Sequence, residues 1–131
     1  MERTAVNPVE WSQAMGFNQG EVVSGETRTL YISGQTAMSR DGRPEHDGDI
    51  ASQLALSVAN LEEVLADANM SLTNLVRLNV YTTDVEALFS HYGILAGKLG
   101  EAAAAPTTTM LGVTRLAIPG QMVELEGTAV A

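Results

Sequence analysis

Cysteine is absent from the 131 residues, which removes disulfides, thiolate nucleophiles, Cys-x-x-Cys redox pairs and cysteine zinc sites together. Basic residues are scarce: 7 Lys and Arg stand against 16 Asp and Glu, a formal net charge of −9. They are scattered from Arg3 to Arg115 with no cluster to neutralise a phosphate backbone, so nucleic acid is not an expected partner. No run approaches the roughly 18 consecutive apolar residues of a membrane helix, and no membrane partner is expected. The chain also lacks Gly-x-Gly-x-x-Gly, Gly-Lys-Ser/Thr and Gly-x-Ser-x-Gly, which argues against a nucleotide loop and a nucleophile elbow. The opening Met1-Glu2-Arg3-Thr4 does not have the charged-then-apolar order of a signal peptide, so cytoplasmic residence is expected.

What is present suits one folded unit. Hydrophobic residues make up 45% of the chain, an ordinary globular share, and the length predicts a single domain over residues 1–131 with a core of its own. Two β-rich runs, 21–24 and 29–33, flank Gly25-Glu26 and predict a hairpin. A third run, Thr36-Ala37-Met38, leads into a turn at 40–44. From Asp49 the period changes. Ile50, Leu54, Val58, Leu61 and Leu65 recur at helical spacing, with Asp47 or Asp49 as the cap and Asn69 at the left-handed end.

The segment 75–82 then alternates as a strand, with Val76, Leu78 and Val80 on one face and Arg77, Asn79 and Tyr81 on the other. Thr83 and Glu86 match a capping box for a second helix that buries Val85, Leu88, Phe89, Tyr92 and Leu99 and is weakened by Gly93 and Gly97. Two strands follow, about 107–114 and 122–130, joined through Pro119-Gly120. The order β-β-β-α-β-α-β-β predicts an α+β fold in which two helices cover one face of a mixed sheet. The other face is left to water or to another subunit.

Most constellations of polar residues have a plain structural explanation. The acidic stretch 41–49 lacks the alternating ligands and closing Glu of a calcium loop, and His46 has no spaced partner, so a solvated turn with a helix cap is expected and no metal. His91 is expected at the helix surface. Two features point further. Ser33-Gly34-Gln35 follows an apolar strand, where glycine permits a bulge or close approach to a ligand. In Val123-Glu124-Leu125-Glu126 both carboxylates share the face opposite the apolar pair. On an open face they are simply wet; on a closed one, one of them becomes a desolvated acid with raised proton affinity, suited to proton transfer.

Taken in order, Leu30-Tyr31-Ile32-Ser33-Gly34-Gln35, Asp41-x-Gly, Gln53, Asn60-Leu61, Val80-Tyr81-Thr82-Thr83-Asp84, Pro106, Arg115-Leu116 and Val123-Glu124-Leu125-Glu126 resemble the Rid family (reactive intermediate deaminases, also called YjgF). The resemblance runs from about Phe17 to the C-terminus. It implies a chorismate-mutase-like protomer, a homotrimer, and a small-molecule cleft between subunits. It also implies hydrolysis of enamines and imines to a carbonyl compound and ammonia without a cofactor. By position, Glu124 resembles the acid/base that handles water, with Ser33 beside it at the reaction centre. Phe17, Gly34, Tyr92, Thr108 and Met110 stand at positions that line the ligand.

The sequence departs from the family at three of these positions, one of them Tyr92, where a small polar residue is common. Phe17 replaces a common Tyr. Thr108 stands two residues past Pro106, where deaminating relatives carry an Arg that clamps the substrate carboxylate. A hydroxyl does not replace a bidentate guanidinium. Arg115 lies seven residues further on, an odd offset that would point it to the other face of a continuous strand, while Arg77 or a neighbouring subunit's cation could substitute. The departures imply either a deaminase of altered specificity or a binding trimer that lost the chemistry. An endoribonuclease reading, also attached to the family, fits neither the charge balance nor the lack of paired catalytic histidines.

Overall fold

A computed structural model describes all of residues 1–131. The elements are β1 (Glu2–Val6), α1 (Trp11–Ala14), β2 (Gly20–Ser24), β3 (Thr29–Gln35), α2 (Ile50–Asp67), a 3-10 turn (Leu72–Asn74), β4 (Leu75–Thr82), α3 (Val85–His91), α4 (Gly93–Glu101), β5 (Thr107–Gly112) and β6 (Val123–Val130). Strands β3-β6-β4-β5 form a mixed sheet, antiparallel except for the β4/β5 pair, and β1-β2 form a separate ribbon. The α+β class with a mixed sheet is as expected from the element order. No helix is long and apolar enough to cross a membrane.

The core lies between the helices and one face of this sheet. Leu54, Leu61 and Leu65 of α2 meet Leu78, Val80, Val123 and Leu125 of the strands, all fully buried. The helix begins where the sequence placed it: the Asp49 side chain accepts from the Ser52 N–H at 3.1 Å, and Asn69 takes a φ of 57° just past the end. Its stripe at spacings of four and three turns one continuous apolar face to the sheet.

Four local expectations are corrected. The 21–24 and 29–33 runs do not form a hairpin. β2 pairs with β1, and β3 pairs with β6. The Thr27 and Arg28 N–H groups donate to the Ala131 carbonyl, which draws the chain onto β6 instead of back along β2. Residues 36–38 form no strand. Their backbone groups are met by side chains instead: Asn60 Nδ2 donates to the Thr36 and Met38 carbonyls, and Gln121 Oε1 accepts from the Ala37 N–H. In β4 the inward residues are Leu75, Leu78 and Val80 rather than Val76, because the register with β6 shifts between Leu75 and Arg77.

The fourth correction concerns the second helix, which is two helices meeting at Tyr92. Asp84, not Thr83, caps the first by accepting from the Ala87 N–H at 3.0 Å. The inward stripe is Leu88, Tyr92, Leu95 and Leu99, at spacings of four, three and four. Phe89 lies about 100° around the helix from that stripe and is 56% exposed.

Candidate functional site

The face of the sheet away from the helices carries the polar members of the alternation. Cross-strand pairing sets Tyr81 beside Glu124, Asn79 beside Glu126, and Arg77 beside Thr128. On the edge strand β5, Thr107 and Thr109 pair with Arg77 and Asn79 and so share this face, where Arg77 Nη2 donates to Thr109 Oγ1 at 2.6 Å. Glu126 Oε1 accepts from Asn79 Nδ2 at 3.0 Å and from the Tyr81 hydroxyl.

Ser33 and Gly34 form the bulge expected of them. Ile32 pairs with Gly127 and Gln35 with Leu125, leaving two residues of β3 opposite Glu126 alone. The bulge brings the Gly34 backbone against the Glu124 carboxyl, so that a Cβ on Gly34 would overlap the carboxyl oxygen. Gly34 has no left-handed φ. Space, not backbone conformation, is the reason for glycine here. Burial against this bulge raises the proton affinity of Glu124 above the usual carboxylate range, and the charge of Glu126 adds to it. Both effects disfavour a second negative charge at this spot.

The remaining site residues named from the sequence lie elsewhere in the protomer. Thr108 pairs with Leu78 and Met110 with Val80, so both belong to the helix side of the sheet. Thr108 Oγ1 donates to the Pro106 carbonyl at 2.8 Å, and Met110 and Tyr92 pack against the core. Phe17 makes an edge-to-face contact with Trp11, ring centroids 5.8 Å apart, and the next residue, Asn18, donates its N–H to the Ala105 carbonyl ahead of β5. Within one chain, then, Gly34 and Glu124 come together, with Ser33 next to Gly34 in the bulge, while Phe17, Tyr92, Thr108 and Met110 are not gathered around them. Arg115 follows the end of β5 in a loop and lines a groove of about 690 Å³ with Asp47, Pro119 and Gly120. It is no longer on the strand for which its offset was counted. No three His, Asp or Glu side chains come together as a metal-holding group.

Comparison with known proteins places the chain in a family. A family model described as Endoribonuclease L-PSP matches residues 7–131. A structure from Yersinia pestis, YyfB of the conserved Rid protein family, superposes with a TM-score of 0.89 at 30% identity, each chain covered in full. The chain belongs to the Rid/YjgF family. Another relative of this family member is mmf2 of Schizosaccharomyces pombe, a mitochondrial protein 30% identical over 126 residues and 96% of both chains. A structure of Escherichia coli TdcF with bound serine has a TM-score of 0.70 at 25% identity, covering 88% of this chain and 87% of that one.

Asn79 and Tyr81 carry no sequence signal as site residues, and Glu126 is marked in the sequence only as one of two carboxylates on a shared face. The β4 alternation placed Asn79 and Tyr81 on one face, but only the β4/β6 register joins them to the carboxylates. The Gly34 contact yields a prediction. Gly34→Ala pushes aside the tip of a flexible side chain, so its Tm is expected within about 3 °C of wild type. Were Glu124 to act as the acid/base its position implies, a displacement of about 1 Å would cost on the order of 100-fold in rate. Paired melting and ammonia-release measurements on this variant check both halves.

Proposed function

We propose that the chain is an imine or enamine deaminase of altered specificity, with Glu124 as its acid/base. The observation that supports this reading is the partly buried Glu124 carboxyl, its proton affinity raised by burial, packed on the Gly34 bulge. In the proposed cycle Glu124 removes a proton from water as the oxygen attacks the C=N carbon. It then returns that proton to the nitrogen. Collapse of the resulting amino alcohol gives a carbonyl compound and ammonia, and no cofactor enters. Ser33 and the Gly34 backbone orient the ligand.

The domain proposed spans residues 1–131 and works as a homotrimer, with the small-molecule ligand in a cleft between copies. Such a cleft would let Phe17, Tyr92, Thr108 and Met110 serve as its remaining walls, since β5 is an edge strand. With Thr108 in place of an Arg, the substrate proposed lacks the usual carboxylate, or meets Arg77 instead. The serine held by TdcF is in keeping with a small polar ligand. The proposed compartment is the cytoplasm, although the relative mmf2 is mitochondrial.

Thr108 and Phe17 favour a second reading, a binding trimer that no longer deaminates. One assay separates the two: 2-iminopropanoate and carboxylate-free imines are generated in situ, and wild type is compared with Thr108→Arg. Ammonia release by wild type well above the uncatalysed rate supports the deaminase. Release by Thr108→Arg alone supports the second reading.

A further inference from the structure

Glu124 and Glu126 share one face of β6, but their surroundings differ. Glu126 Oε1 takes two donors, Asn79 Nδ2 and the Tyr81 hydroxyl. An ionised carboxylate is an acceptor only, so two donors suit that form. Nothing in the chain donates to Glu124, which has the Gly34 bulge of β3 on one side and Tyr81 of β4 on the other. The other titratable or charged groups on the face are few. Arg77 of β4 directs its guanidinium to Thr109, and Tyr31 of β3 is 80% exposed. β5 presents Thr107, Thr109 and Leu111.

We infer that Asn79, Tyr81 and Glu126 are positioning residues for Glu124: by clamping Glu126 as a fixed negative neighbour, they make Glu124 the member of the carboxyl pair that takes up and gives back the proton. This rests on the proposed acid/base role of Glu124. Two like groups in different environments divide acid and base duties in this way, because the pair cannot ionise as freely as either member alone. The Tyr81 hydroxyl holds its own proton more tightly than a free phenol, chiefly through its bond to Glu126. It therefore remains a donor across the working range. Burial sets most of the raised proton affinity of Glu124, and the Glu126 charge supplies the rest.

The test needs no substrate. Carboxyl carbon NMR follows the titration of both side chains in the intact protein, in wild type, Glu126→Gln and Tyr81→Phe. In Glu126→Gln the Glu124 midpoint is expected to fall, because one nearby negative charge is removed. An unmoved midpoint overturns the inference. Tyr81→Phe keeps the charge and removes a donor, which covers the case in which Glu126→Gln does not fold. There the Glu124 midpoint is expected to fall as the clamp on Glu126 loosens, and an unmoved Glu124 midpoint overturns the inference. Failure of the deaminase reading would appear separately, as absent ammonia release by wild type.

Discussion

Glu124→Gln is expected to lower ammonia release by about 10²–10⁴-fold, the range for losing a positioned general acid/base, with sedimentation and circular dichroism unchanged. The amide fills the same space against Gly34 but cannot cycle a proton. Stability is expected to move the opposite way. Folding raises the proton affinity of Glu124, so above its ordinary value of 4.5 the native state binds more protons than the unfolded one. Stability contributed through this group therefore falls as pH rises from about that value to the folded midpoint. Above this window the wild type carries the full penalty of a buried charge, which Glu124→Gln does not. The variant should melt higher than wild type at pH 7, with the difference shrinking toward pH 4. Loss of activity together with a raised Tm distinguishes a functional carboxyl from a structural one. Retained ammonia release would remove Glu124 from the mechanism.

Gln53→Ala is expected to have the largest effect on stability. Gln53 is fully buried, and its amide joins the loop before α2 to the loop between β5 and β6. Nε2 donates to the His46 carbonyl at 2.9 Å and to the Gly120 carbonyl at 2.8 Å, while Oε1 accepts from the Met122 N–H at 2.7 Å. Truncation leaves the Gly120 carbonyl and the Met122 N–H without their partner, removes one of the two donors to the His46 carbonyl, and opens a cavity. Buried orphans cost about 1–3 kcal/mol each, so a loss of about 3–5 kcal/mol is expected after partial relaxation. That corresponds to a Tm lower by about 10–20 °C for a chain of this length. Differential scanning calorimetry measures it. A drop of only a few degrees would show that water replaces the amide.

Gln53 also shows where sequence reasoning stops. It was quoted as part of a family pattern, yet helical periodicity alone cannot say that a polar residue on the inner face of α2 ties down the loops before and after it. Its partners lie 7, 67 and 69 residues away in the chain. The β2/β3 hairpin failed for a related reason. Gly25-Glu26 is good turn chemistry, but the choice of strand partner was made by Ala131, at the far end of the sequence. Phe89 was misplaced because a one-residue step around a helix changes its face, and periodicity blurs where a helix ends beside Gly93.

The sequence alone determined the span and inward stripe of α2, its left-handed end at Asn69, the extent of β4, and the common face of Glu124 and Glu126, and it narrowed the cap of α2 to Asp47 or Asp49. Each of these follows from interactions within a few residues, or from a repeat of 2 or 3.6 that the chain carries along its own length. The tertiary structure decided which strands pair, that the Ser33–Gly34 bulge meets Glu124, that Asn79 and Tyr81 clamp Glu126, and that Thr108 lies on the other side of the sheet. Those depend on register between distant segments. Register is settled only when the whole core packs at once, because a shift of one residue would turn every side chain of a strand to the opposite face.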